Sequence, residues 1–318
     1  MTFDREVMLR DVAEGLSSSP RQLSPKYFYD ERGSRLFDEI TRLPEYYPTR
    51  AERFLLERHV ATIIAIARPE TLLELGAGSS DKTRILLTEM IRCATSRPTY
   101  IPVDVSEAFL VDSAAKLKAE YPSLDICPVA ADFASGFTLP SHPSPTLHAF
   151  LGSTIGNFTP DDAVLLLRSA RERMRPGDFF LLGVDLRKDP AVIERAYNDS
   201  QGVTADFNRN ILSVINDELG ADFDAEQFDH NAIYNRVENR IEMRLVARGD
   251  QEVRIPDFGS MRVADGESIL TEFSYKYDEH VARDVLRLSG LCMTDWITDE
   301  RDTFGLALAE RGAADDEL

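Results

Sequence analysis

The segment TLLELGAGSS (residues 71–80) constrains the fold most strongly. Its apolar start has no polar alternation, as expected of a strand buried on both faces in a helix-covered parallel sheet. The glycines that follow allow a tight turn and a close approach of ligand to backbone. Strand and helix patterns then alternate. Helices are predicted over 81–94, 107–122 and 161–174, and strands over 99–106, 124–133, 146–158 and 178–186. That rhythm specifies an α/β fold with a parallel sheet. After residue 190 it changes: VTADFNRNILSVINDEL reads as a helix, and RIEMRLVARG, EVRIPDFG and ILTEFSYKY as strands. A helix (279–291) and two strands (292–300 and 302–310) close the chain.

In an open parallel sheet, ligands sit at the carboxyl ends of the strands near the point where strand order reverses. Three strand ends carry suitable groups: Gly76 with Gly78, Asp104, and Asp132 with Phe133. A carboxylate at 104 can accept from ribose hydroxyls. One at 132 can accept from an adenine amine beside the ring of Phe133. A dinucleotide site wants G-x-G-x-x-G so that pyrophosphate meets a helix N-terminus. Here Asp81 replaces the third glycine. An acidic residue suits a cofactor without phosphate and with a sulfonium charge, namely S-adenosylmethionine. Lys82 lies in the first helical turn, where the dipole disfavours a cation. It is either a contact for the cofactor's carboxylate or a solvated lysine. The closing helix–strand–strand matches the end of a seven-stranded class I methyltransferase sheet with an antiparallel last strand. Residues 51–190 with 278–318 are therefore assigned to a Rossmann-like domain. Residues 1–50 with 191–277 are assigned to a discontinuous α+β substrate domain.

Charge narrows the substrate. With 36 Lys and Arg against 55 Asp and Glu, the net charge is −19, and no basic run interrupts it. Nucleic acids and anionic membranes are disfavoured partners. The three cysteines and five histidines have neither disulfide nor metal-ligand spacing, so no metal is expected. The amphipathic N-terminus reads as neither signal peptide nor membrane span, and the expectation is a cytoplasmic monomer acting on a small molecule.

On the substrate side the residues leave alternatives open. Asn157, after the fourth strand, could accept a hydrogen bond from an amine and aim its lone pair, or be a turn asparagine. Glu272 and Ser274 share one face of a strand. They could grip two imidazole nitrogens or face solvent. Met243 reads more readily as core filler than as pocket wall.

Six segments together, PKYFYDERGSRLFDEITRLPEYYPTR, ELGAGSSDKT, FLGSTIGN, YNDSQGVTADFNRN, RIEM and LTEFSYKY, resemble the bacterial L-histidine Nα-methyltransferases of ergothioneine biosynthesis. The resemblance spans nearly the whole chain. It implies trimethylation of the histidine α-amine to hercynine between two domains, with S-adenosylhomocysteine as product. Position by position, it implies cofactor contacts at Gly76, Lys82, Asp104, Asp132 and Phe133. It puts the amine at Asn157 with Tyr29 nearby, the carboxylate at Tyr46 and Tyr197, and the imidazole at Glu272 and Ser274. Met243 and Phe37 would line the pocket.

Overall fold

A computed structural model of the chain describes residues 4–78, 82–105, 107–131 and 137–312. The chain divides into two compact units, Met1–Tyr47 with Lys188–Tyr275, and Pro48–Arg187 with Lys276–Leu318. Residues 48–50, 188–190 and 276–277 thus change sides relative to the ranges assigned from sequence. Among the described residues no helix is long and apolar enough to cross a membrane.

In chain order the elements are α1 (Arg5–Ser17), β1 (Arg21–Gln22), α2 (Glu31–Ile40), α3 (Tyr47–Ala67), β2 (Thr71–Leu75), α4 (Thr83–Cys93), β3 (Thr99–Asp104) and α5 (Glu107–Glu120). Then come β4 (Asp125–Ile126), β5 (Val129–Ala130), β6 (Thr146–Phe150), α6 (Pro160–Arg173), β7 (Phe179–Asp185), α7 (Pro190–Ala196) and α8 (Val203–Leu219). Last are β8 (Phe228–Asn235), β9 (Arg240–Ala247), β10 (Gln251–Ile255), β11 (Gly259–Val263), β12 (Ser268–Tyr275), α9 (Glu279–Leu288), β13 (Leu291–Thr298) and β14 (Phe304–Arg311).

The larger unit is built on one sheet in the order β13-β14-β7-β6-β2-β3-β4, with β5 also on β3. β2 pairs in parallel with both β3 and β6. Every residue of β2 and β6 is buried, as expected of strands covered on both faces. The chain steps outward from β2 to β3, β4 and β5, then crosses back to β6 and β7, so strand order reverses beside β2. β14 runs antiparallel to both of its neighbours.

The third predicted strand is not continuous. Tyr100 and Asp104 carbonyls accept from Cys127 and Ala131 N–H. Between them on that edge stands Pro102, which has no N–H to donate, opposite Pro128 on the neighbouring segment. The ladder breaks there into β4 and β5, which share one sheet position. The fourth predicted strand is also shorter, ending at Phe150, with the following residues forming a turn.

The smaller unit has a sheet in the order β1-β12-β9-β8 and a β10–β11 hairpin. The side chain of Asp4 caps α1 by accepting from Glu6 and Val7 N–H. Met8, Val12 and Leu16 then form its buried stripe at helical spacing. They join one core with Ile211, Leu212 and Ile215 of α8, Leu245 of β9 and Ile269 of β12. β1, α2, α7, β8 and β11 were not anticipated from sequence. For α7 the signal was present: Asp189 caps the helix and Pro190 is its first residue.

Candidate functional site

The β2–α4 turn in the larger unit is built by its glycines. Gly76 and Gly78 have φ of 68° and 48°, a region that L side chains rarely adopt. Gly76 N–H donates to Val103 carbonyl at 2.8 Å. Gly78 N–H donates to Asp104 Oδ2 at 3.2 Å. Two strand ends singled out from sequence are therefore joined. A carboxylate has about four acceptor positions, so Asp104 can serve this turn and a ligand hydroxyl together. Among the described residues, a Cβ built on Gly78 would meet nothing within 4 Å.

Lys82 sits at the N-cap position of α4. Its ammonium is paired with Glu52 of α3, whose side chain is fully buried. Glu52 also accepts from Gly152 N–H at 2.8 and 3.0 Å through its two oxygens. Gly183 makes room for it: a Cβ there would lie 2.1 Å from Glu52 Oε1. Sequence reading missed Glu52. The available signal was a carboxylate in the stripe Pro48, Glu52, Leu55, Leu56, since charged residues are rarely fully buried unless paired.

Glu74 is a second buried carboxylate. It accepts from the hydroxyls of Thr83, at 2.7 Å, and of Tyr100. Burial raises its pKa to about 7, against the lowering effect of those hydroxyls and of Lys82.

After β6, the left-handed positions are Gly152 (φ 76°) and Ser153 (φ 58°). Asn157 instead ends a short 3-10 turn, Thr154–Asn157, and is half-buried. The turn therefore does not need an asparagine for its conformation. Ser153 Oγ accepts from Asp185 N–H at 2.8 Å. Asp185 pairs with Lys276 at 2.8 Å, both fully buried. Asp81, Asp132 and Phe133 lie outside the described residues.

The smaller unit gathers the other residues into two groups. Tyr29, Phe37, Tyr46 and Tyr197 form a continuous run of ring contacts. Tyr29 meets Phe37 at 5.8 Å, Phe37 meets Tyr46 at 6.3 Å, and Tyr46 meets Tyr197 at 6.1 Å. These are edge-on arrangements that aromatic quadrupoles favour. Phe207 of α8, not foreseen, packs against Tyr29 and Phe37 from 5.8 and 6.0 Å.

The second group lies on β12. Glu272 and Ser274 are 9% and 2% exposed, whereas Phe273 and Tyr275 are half-buried. The solvent-facing alternative for Glu272 and Ser274 is excluded, because this strand turns its polar face inward. Its aromatic face is covered by Arg240, whose guanidinium lies 4.8 Å from the Phe273 ring and 5.2 Å from that of Tyr275. Met243 of β9 is the register partner of Glu272 and is 2% exposed.

A parallel sheet whose strand order reverses beside a glycine turn, with an acidic second strand end and no third glycine for a pyrophosphate, defines a class I S-adenosylmethionine-dependent methyltransferase. The chain belongs to the histidine-specific, S-adenosylmethionine-dependent methyltransferases, matching the model of that family over residues 8–311. It is 47% identical over 307 residues to the histidine N-alpha-methyltransferase of Mycolicibacterium smegmatis, covering 96% of this chain and 95% of that protein. The protein of that name from Mycobacterium tuberculosis is 46% identical over 303 residues, covering 95% and 94%. Ergothioneine biosynthesis protein 1 of Schizosaccharomyces pombe is 29% identical over 280 residues, 83% of this chain but 36% of that longer protein.

Proposed function

We propose that this enzyme transfers three methyl groups to the α-amine of L-histidine, giving hercynine for ergothioneine biosynthesis, and that it acts as a single chain. The observation that carries the reading is the inward polar face of β12. A buried carboxylate and hydroxyl two residues apart, at Glu272 and Ser274, offer an acceptor and a donor to the two nitrogens of one imidazole. The two mycobacterial relatives named histidine N-alpha-methyltransferases support the substrate.

In this reading residues of the larger unit hold the cofactor, and residues of the smaller unit, together with Asn157, hold the amino acid. Gly76 and Gly78 allow close approach of the cofactor. Asp104 takes the ribose hydroxyls, Asp132 and Phe133 the adenine, and Lys82 the carboxylate. S-adenosylmethionine supplies a methyl group already activated by a sulfonium, which leaves as a thioether.

The protein's own work is positioning, which can contribute several kcal/mol to lowering a barrier. Tyr46 and Tyr197 hydroxyls hold the carboxylate. The Asn157 amide oxygen accepts an N–H of the amine and aims the nitrogen lone pair. The amine must attack as the free base. Model α-amines titrate near 7.7–8.0 and that of a free amino acid somewhat higher, so a modest lowering in the site or proton loss to water, relayed by the Tyr29 hydroxyl, supplies the free base. Each transfer forms an N–C bond as the S–C bond breaks. A proton leaves nitrogen before each of the next two rounds, and the third leaves a quaternary ammonium.

Mass spectrometry of the protein incubated with S-adenosylmethionine and the twenty amino acids tests the reading. Three added methyls on histidine alone are expected. Methylation of tryptophan or another amino acid in place of histidine would overturn the roles given to Glu272 and Ser274. Accumulation of only mono- or dimethylhistidine would overturn trimethylation.

A further inference from the structure

β12 contains a bulge. Leu270 pairs with Arg244 and Glu272 with Met243, so Thr271 has no register partner. A bulge shifts every later side chain to the other face of a strand, because the side-chain period is two. This one decides which face of β12 Glu272 and Ser274 occupy.

Thr271 is fully buried, and its hydroxyl donates to Asn208 Oδ1 at 2.6 Å, with Met243 carbonyl 3.1 Å away. Asn208 lies on α8 and is also fully buried. Its Nδ2 donates to Arg244 carbonyl at 3.1 Å and to His230 Nδ1 at 2.8 Å. Arg244 carbonyl can only accept, which fixes the amide orientation. His230 Nδ1 is then an acceptor, so Nε2 carries the proton and donates to Tyr197 carbonyl at 2.8 Å. The Asn208 amide uses its oxygen and both its hydrogens. The chain of bonds runs from the bulge beside Glu272 to the backbone of Tyr197.

We infer that Asn208 and His230 are positioning residues that pin the Thr271 bulge to Tyr197, and so set the spacing between the imidazole grip and the carboxylate grip. They govern which length of amino acid is accepted. The inference rests on the roles proposed above for Glu272 and Tyr197. An apolar trio would fill the same core. The hydrogen-bonded trio adds a fixed direction at each end.

The test uses Thr271→Val, which removes one hydroxyl at nearly constant volume, and Asn208→Leu. Each is measured by calorimetry for L-histidine and, separately, for S-adenosylhomocysteine. Each is also measured in a Glu272→Ala background. With the bulge unpinned, the mispositioned Glu272 is expected to lose about one hydrogen bond to the imidazole, which corresponds to about a tenfold rise in the histidine Kd. The nucleoside Kd is expected to stay within about twofold. Steady-state kinetics should show KM for histidine rising with kcat little changed. In the Glu272→Ala background the Thr271→Val effect should shrink to below about twofold, because residues acting through one contact are not additive.

An unchanged histidine Kd in Thr271→Val, or the same tenfold loss with and without Glu272, would overturn the inference and leave a structural network. Failure of the underlying reading looks different: Glu272→Ala alone would then bind histidine like the unmodified protein. If Asn208→Leu does not fold, Thr271→Val carries the same comparison.

Discussion

Gly183→Ala puts a methyl group where Glu52 has to be. The Cβ would stand 2.1 Å from Oε1 of a carboxylate that is fully buried. No real contact is that short, so Glu52 must move. It is the free end of a side chain, but it holds the Lys82 ammonium and both of its oxygens take Gly152 N–H. A hydrogen bond to a charged group contributes about 1.5–3 kcal/mol. Stripping the partner from a buried charge costs roughly 3–5 kcal/mol. Lys82 keeps 20% of its side chain in solvent, which favours the lower figures. Reduced unfolded-state entropy returns about 0.4–1 kcal/mol. A net loss of about 2–3 kcal/mol follows, or roughly 5–10 °C in Tm for a domain of this size. Thermal melts followed by circular dichroism measure it. The reasoning has an internal control. In a Glu52→Ala background the carboxylate is gone, and Gly183→Ala should cost less than about 1 kcal/mol further. A Tm within about 2 °C of the parent, or full additivity of the two changes, would refute the argument. The same variant should weaken S-adenosylhomocysteine binding, since Lys82 loses its anchor.

Glu272→Ala should raise the Kd for histidine roughly ten- to a hundredfold and leave nucleoside binding unchanged, as measured by calorimetry. A normal histidine Kd would remove Glu272 from the site. Glu74 makes stability pH-dependent. Its pKa is raised from 4.5 to about 7, so it keeps a proton in the folded chain that the unfolded chain has lost. Its contribution therefore falls as pH rises from 4.5 to 7, by about 3 kcal/mol. Urea unfolding of Glu74→Gln at pH 5 and pH 8 should lack that slope relative to the parent, and an unchanged slope would contradict the assignment. Phe207→Ala opens a hole in the Tyr29–Phe37 ring cluster and should cost about 3–5 kcal/mol; a loss below about 1 kcal/mol in denaturant melts would show that the rings repack.

Much of the larger unit was legible because its signals are local. β2, β6 and β7 are covered on both faces, so each reads as an apolar run closed by a turn. Asp104 could be singled out because it ends such a run. The break between β4 and β5 was not read, although Pro102 and Pro128 are both visible. Their effect exists only when the two prolines face one another across a ladder. β8 was missed because its burial alternates imperfectly, with His230 and Asn231 both half-buried. His230 is half-buried because it reaches back to the Tyr197 carbonyl.

What the sequence determines alone is whatever a residue and its near neighbours decide together: the glycine turn after β2, the missing third glycine that argues against a dinucleotide, the caps of α1 and α7, and the alternation along β12. Which face of β12 looks inward was not among these. The pattern allowed Glu272 and Ser274 to face water, and tertiary structure turned them inward through a bulge pinned by Asn208, 63 residues away in sequence. Glu52 meets Gly152 across 100 residues and Lys82 across 30. Pairings of that range leave no periodicity in the chain. They arise because a buried carboxylate must find donors, and only the folded sheet brings those donors within reach.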